Sequence, residues 1–488
     1  MKRNVDLEKI DSYIMNSFVK YFLSFFIIAF NTVNSQKLVL NLEECVLLAH
    51  QKNISILQSE LQLKNSNIDL SSAKANFFPN LNASVNHAWN YGLNQNITTG
   101  IFENITTQFS SMNVNFNVDI FKGFENIRRL HRANLSVIAQ QYNIEKIKDD
   151  IGLLVANSYL QVMFNKEFFK VSKEQLDITR KELERAKILL DAGLIVKGDL
   201  IDIEASLANQ EQNLVQAENT LRLVKINLAQ LLRITDYENF DTADEDLDLP
   251  FTEIFNETPK SIYTKALTER NEIKLSVANL EIAETDLLLS KSRLQPSLTA
   301  FYSYSSRISY SDRLIPSGEF ETVPIGKLAS NSEPVVSTIE KRNVVGPMSV
   351  IDQFKLNDGH NFGLQLSIPI FNRLVVRNNI KRSNIQLESF QNQHEQIKLD
   401  LENTIYQAYN DTKASYKLYQ ASKKTVSARK DAFQNAQKKF ESGTINSFDY
   451  AQIKQRYDSS LSDQIRAKFD YIFKLKVLEF YFGLKITI

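Results

Sequence analysis

Two periodicities divide this chain. From Ile203 to Leu231 the positions Ile203, Leu207, Gln210, Leu214, Ala217, Leu221, Val224, Leu228 and Leu231 recur at alternating spacings of four and three. A period of 3.5 residues held this long predicts a left-handed coiled coil. Leu176, Thr179, Leu183, Ala186 and Leu190 keep the same rhythm further upstream. Elsewhere the period is two. Met112, Val114, Phe116, Val118 and Ile120 alternate with Asn113, Asn115, Asn117 and Asp119, and Phe362, Leu364, Leu366, Ile368 and Ile370 alternate with Gly363, Gln365, Ser367 and Pro369. Such alternation predicts strands with one apolar and one polar face. Partner strands are predicted over about 80–93 and 297–310, which are rich in Tyr, Phe and Trp, as interfacial girdles are. A half-buried sheet in a soluble domain fits the same alternation.

Proline and glycine set the boundaries. The nine prolines leave 80–249 and 370–488 without one, so long unbroken helices are allowed in those two windows. Gly193 in LDAGLIVKGDL and Gly443 in FESGTINSFDY lie 250 positions apart, each followed six residues later by an aspartate, Asp199 or Asp449. The same shift pairs Phe121 with Phe371, Arg132 with Arg382, Tyr159 with Tyr409 and Leu228 with Leu478, so the chain is a duplication. Upstream, KANFFPNLNA and KSRLQPSLTA align at Pro79 and Pro296, a shift of 217.

Each half is therefore predicted to run helix, strand, strand, long helix, turn, helix. Helices over 125–190 and 373–440 would each extend roughly 100 Å, and those over 42–76, 199–232, 259–293 and 449–482 roughly 50 Å. A glycine with positive φ ends each long helix, and Asp199 and Asp449 are placed to cap the returning helices. Four strands are too few to close a barrel, and open edges cannot face lipid, so a membrane location requires several chains to share one barrel.

Lysine plus arginine equal aspartate plus glutamate at 57 each, which gives no basic excess to hold nucleic acid. The single Cys45 excludes an intramolecular disulfide framework, and the five histidines show no metal-ligand spacing, so no metal and no cofactor are expected. Residues 1–35 are predicted to be a signal peptide, with an apolar run from Tyr21 to Phe30, Val33 and Ser35 at the cleavage positions, and Met15 as a second candidate start. The first repeat is placed at 36–235, an acidic connector at 236–258 and the second repeat at 259–488. Calcium binding by the acidic stretch DYENFDTADEDLDLP is an alternative to a solvated linker.

The stretches NLEECVLLAHQKN, KANFFPNLNAS and LSIPIFNRLVVRNNIKRSNI, with the two Gly-x5-Asp turns, resemble the outer-membrane efflux protein family, the TolC-like channels. The resemblance covers nearly all of Leu38 to Leu484. It implies a mixed fold of α-helices and a membrane β-barrel: a duplicated helix-strand-strand-helix-helix unit, with a long α-helical coiled-coil barrel continuous with a twelve-stranded β-barrel, four strands from each chain of a homotrimer. It further implies a passive exit duct for drug efflux or type I secretion. The duct would sit in outer-membrane lipid and dock with a periplasmic adaptor (membrane fusion) protein and an inner-membrane transporter. Asp199 and Asp449 fall on acidic positions that narrow the periplasmic entrance in that family. Gly193, Leu194, Gly443 and Thr444 fall on the turns expected to contact the adaptor. Gln452 stands where some members carry a second aspartate, and Ile445 where some carry a gating arginine. The segment 311–359 is long for the family and is assigned only to the cell surface.

Two other classes compete. Gly193 to Gly198 has the spacing of a phosphate loop, but Asp199 and Leu200 replace the lysine and hydroxyl that bind phosphate and magnesium, so no enzyme is expected. A periplasmic coiled-coil adaptor or scaffold would share the helical hairpins without a barrel.

Overall fold

The computed structural model describes residues 37–96, 99–244, 254 and 257–484. The expected signal peptide, 1–35, lies outside them. In chain order the elements are β1 (Leu38–Leu40), α1 (Leu42–Lys52), α2 (Ile54–Ala75), β2 (Asn80–Gln95), β3 (Phe102–Lys122), α3 (Glu125–Asp191) and α4 (Lys197–Leu231). They continue with β4 (Phe240–Thr242), α5 (Pro259–Glu269), α6 (Asn271–Ser292), β5 (Ser297–Ser309), β6 (Arg313–Lys327), β7 (Pro334–Val345), α7 (Val350–Leu356), β8 (Asp358–Ser367), α8 (Val375–Glu441) and α9 (Ser447–Tyr481). Both long helices have 67 residues and both returning helices 35. The duplication is thus metrical as well as sequential.

The chain forms two compact units. One holds 63–140 and 276–394 and is built on an antiparallel sheet in the order β2-β3-β5-β8. The register aligns Leu81, Phe116, Tyr302 and Phe362 across one face, and Asn82, Asn115, Ser303 and Asn361 across the other. Pairing thus sorts the four strands into a common apolar face and a common amide-rich face. Val85 is 72% exposed and Phe362 76%, so much of the apolar face stays uncovered by the described residues. β8 stops at Ser367, short of the predicted Ile370, because Pro369 has no N–H for the ladder. The segment 311–359, expected only as a surface loop, contains the β6–β7 hairpin and α7.

At the passage from β3 to α3, Gly123 and Phe124 both have positive φ, and 250 positions on so do Arg373 and Leu374. Two left-handed residues in succession turn the chain from sheet to helix in each half. Glycine eases this in the first half only; the second holds Arg and Leu there against their preference. Arg128 donates to Leu288 O (2.6 Å) and Ser292 Oγ (2.7 Å), and Arg132 meets Asp286 at 2.5 Å, tying the start of α3 to the end of α6.

The other unit, 37–62, 141–275 and 395–484, is helical apart from the parallel pair β1–β4. One core gathers Cys45 and Ala49 of α1, Val155 and Tyr159 of α3, Leu228 of α4 and Phe240 of β4. A second gathers Ile262 and Ala266 of α5, Ile405 of α8, and Leu475 and Leu478 of α9. Cys45 and Ile262, Ala49 and Ala266, Val155 and Ile405, and Leu228 and Leu478 are repeat equivalents, so each half builds its own version of one core.

The helices predicted as continuous over 42–76 and 259–293 are each broken once. Asn53 (φ −64°, ψ 131°) and Arg270 (φ −70°, ψ 132°) are extended, and they too are repeat equivalents. Asn53 restarts the helix by accepting the Ser55 amide at 2.9 Å. Arg270 is buried between Glu272 (3.1 Å), Asp149 (3.6 Å) and the Phe480 ring face at 4.0 Å. A periodic apolar pattern cannot reveal a one-residue break that preserves the facing of both pieces.

The acidic stretch also differs from the solvated connector predicted. Phe240, Asp241 and Thr242 are buried, and the Asp241 carboxylate meets Lys37 (2.6 Å), Lys225 (2.8 Å) and Lys166 (2.9 Å). These lysines hold its carboxyl well below the ordinary range against the opposing effect of burial. Residues 245–253, 255 and 256 of the 236–258 connector lie outside the described residues.

A Cβ added at Gly123 would stand 2.5 Å from Ser292 O and 2.5 Å from Gln295 Cβ, at φ 56°. Gly123→Ala should therefore lower folding stability by at least about 1–3 kcal/mol. Thermal unfolding followed by circular dichroism checks this, with Gly92→Ala, at positive φ with no atom nearby, as the milder comparison.

Candidate functional site

Both helical turns close in the same way. Gly193, at φ 71°, donates to Leu190 O (2.9 Å) while Leu194 N reaches Leu189 O (2.9 Å). Gly443, at φ 68°, donates to Phe440 O (3.0 Å) while Thr444 N reaches Lys439 O (2.8 Å). This pair of bonds satisfies the last carbonyls of each long helix, and it needs the left-handed residue that glycine supplies. Gly193, Leu194, Gly443 and Thr444 are all exposed at the turn tips.

Asp199 and Asp449 each occupy the third position of a returning helix. Asp199 accepts the Val196 amide at 3.2 Å and the Ser447 amide at 3.3 Å, and Ser447 Oγ donates to Asp202 at 3.0 Å. Ser447 is chief among the donors that hold the Asp199 carboxyl below the ordinary range. Asp199 thus caps its own helix and also ties the first turn to the second. Asp449 behaves differently. Its amide donates to the Asn446 cap at 2.8 Å and its carboxylate is exposed. The structure therefore places the two predicted aspartates at equivalent helix positions in different surroundings.

Beneath the turns Ala186, Ile203, Phe433, Ala436, Phe440 and Tyr450 form an apolar cluster, with Ile195 and Ile445 packed against it. Ile445 is therefore a packing residue. Next to this cluster lies a polar network that the sequence reading missed. Lys454 Nζ reaches Glu182 Oε2 at 2.7 Å and Thr179 Oγ1 at 2.5 Å, and the Tyr450 hydroxyl donates to the other Glu182 oxygen. Lys454 and Glu182 keep 6% and 11% of their side-chain exposure, so removing one partner would leave a buried charge alone. The pair joins the first helical hairpin to the second. A lysine on the stripe Tyr450, Ile453, Lys454, Tyr457 was the available signal.

Asp458, one turn further along α9, faces Lys454 and Glu182. Burial pushes its carboxyl up to about 6, with Lys454 opposing the shift and Glu182 adding to it. It borders a groove of about 930 Å³ between α3, α4 and α9, lined by Asn209, Gln210, Asn213, Gln216, Gln452 and Gln455 among others. Gln210 Oε1, the one polar member of the predicted coiled-coil seam, is buried there without a hydrogen-bond partner among the described residues. Among those residues no group of His, Cys, Asp and Glu has metal-binding geometry, and no helix is long and apolar enough to cross a membrane.

Strands of membrane-crossing length, a duplicated pair of long helical hairpins and closed turns at their ends define the TolC-like channel fold. The chain belongs to the outer membrane efflux protein family, whose model matches residues 46–232 and 262–483. Its place is the cell outer membrane. CusC is similar in structure with a TM-score of 0.73 at 14% identity, over 92% of this chain and 94% of that one. The outer membrane protein VceC from Vibrio cholerae gives 0.72 at 13%, over 91% and 97%. The Campylobacter jejuni CmeC outer membrane channel gives 0.74 at 14%, over 92% and 87%. No curated protein sequence matches.

The folded-state carboxyl of Asp458 binds its proton more tightly than an unfolded aspartate, with a value near 4. Its protonated form therefore favours the fold below about pH 4, and that contribution is lost as pH rises through about 6. Asp458→Asn should raise the melting temperature by a few degrees at pH 8 and leave it nearly unchanged at pH 4. Melting curves at the two pH values check this.

Proposed function

We propose that this protein is the outer-membrane exit duct of a tripartite efflux pump or type I secretion system, working as a passive homotrimeric channel gated at the periplasmic turns. One observation carries the reading. The four-stranded sheet ends in β2 and β8, whose outer edges have no strand partner among the described residues. In lipid such edges are untenable, and three copies joined edge to edge give a closed barrel with no new type of contact. The amide-rich face then lines the pore and the apolar face meets lipid.

Membership in the efflux family supports cargo export over a scaffold role. The exposed tips Gly193, Leu194, Gly443 and Thr444 are the proposed contacts for a periplasmic adaptor that links the duct to an inner-membrane transporter. Asp199 and Asp449, three copies of each, are the proposed gate and selectivity residues, concentrating cations where the helices converge. The first 35 residues are proposed to direct export, and 36–235 and 259–488 to be the two repeats joined by 236–258. Energy comes from the transporter, and the duct itself performs no bond chemistry.

Purified protein in planar bilayers should give single-channel conductance with cation preference. Asp199→Ala with Asp449→Ala should reduce that preference, read as a shift in reversal potential across a salt gradient. An unchanged reversal potential would leave Asp199 with its capping role alone and Asp449 as an exposed residue of the helix start.

A further inference from the structure

The segment between β7 and β8 contains a seven-residue helix, α7, which the channel reading leaves without a role. Pairing of β5 with β8 ends at Ser306 and Asp358, yet β5 continues to Ser309. There α7 takes over the edge. The Gln353 side-chain amide accepts from Ser309 N and donates to Ser309 O, both at 2.8 Å, as a neighbouring strand would. Asn357 donates to Arg307 O at 2.7 Å, and Ser306 Oγ to Phe354 O at 3.3 Å. Ser349 caps the helix by accepting the Asp352 amide. The helix is thus clamped to β5, with Gln353 buried against the strand.

Its apolar residues then point elsewhere. Ile351, two positions from Gln353, lies on the far side of the helix, with Val350 and Phe354 adjoining it. Ile351 is 67% exposed and Val350 47%. The Phe354 ring lies 6.1 Å from Tyr304, which itself neighbours His360 at 5.3 Å. Tyr304 and His360 stand opposite one another in the register and belong to the sheet's apolar face. On the same face Tyr302 OH and His360 Nδ1 are 2.8 Å apart, and His87, Trp89 and Tyr310 cluster edge to face. These rings, each with a polar atom, have the composition of an interfacial girdle.

We propose that α7 is a membrane-interface anchor, with Val350, Ile351 and Phe354 set among lipid acyl chains at the outer rim of the barrel. The apolar surface of the helix continues the apolar face of the sheet, so one lipid boundary covers both. Lys355, on the flank away from Phe354, is placed to meet anionic headgroups. The helix closes a free strand edge and fixes the depth of each chain in the bilayer.

The inference rests on the apolar face of the sheet being the lipid face, and the single tryptophan, Trp89, tests that reading separately. The wild type and the double variant Trp89→Phe with Ile351→Trp are reconstituted in phosphatidylcholine vesicles carrying bromine near the headgroup end of the acyl chains, or near the chain terminus. Loss of emission from the introduced indole at least equal to that of Trp89, and greater with the shallower bromine, supports the anchor. Val350→Trp in the same background gives a second reporter should the first fail to assemble. Quenching of Trp89 with no loss at either α7 position overturns the anchor while keeping the barrel. A blue-shifted α7 signal insensitive to bromine also overturns it, because a sister chain then covers the helix. No quenching at any position overturns both.

Discussion

Hydrogen-bonding capacity along two strand edges governs this molecule. β2 and β8 carry donors and acceptors on their outer sides that lipid cannot satisfy, and each unmet group costs several kcal/mol in hydrocarbon. Among the described residues those edges have no strand partner within one chain. The proposed trimer follows from this, as does the placement of special structure where pairing fails. The outer end of β5, where β8 has stopped, is closed by the Gln353 amide.

A second constraint is the change from extended to helical backbone, which occurs twice at equivalent positions. The halves meet it with the same dihedral angles and different residues. Gly123–Phe124 and Arg373–Leu374 both turn left-handed, and so do Gly193 and Gly443, and Arg233 and Gly483. The geometry is duplicated more faithfully than the side chains, because backbone direction at each junction is set by the packing on both sides of it. Asn53 and Arg270 make the same point: one break is held by an amide cap, the other by ion pairs and aromatic faces.

Near the turns, apolar packing and a buried polar network act together. Glu182 accepts from both Tyr450 and Lys454, and the Asp199 carboxylate accepts from Ser447, so each hairpin holds the other through directional bonds. Such bonds are specific in geometry and give little net stability, which suits the proposed gating at these turns. Gly193 and Gly443 set the turn positions, and the network sets how the two turns sit together.

The long helices, the four crossing strands, the duplication and the glycine-closed turns were legible in the sequence, since each depends on local periodicity or on one residue's allowed φ. Asp199 and Asp449 were legible as helix-start residues for the same reason. The contrast between them was not, because it depends on Ser447, almost 250 residues from Asp199. Separation along the chain likewise hid the Glu182–Lys454 pair, the three lysines around Asp241, the β1–β4 ladder and the seating of α7. Periodicity determines which face of an element is apolar; only the folded chain decides which distant polar groups share a buried space, because that depends on contacts no local pattern encodes.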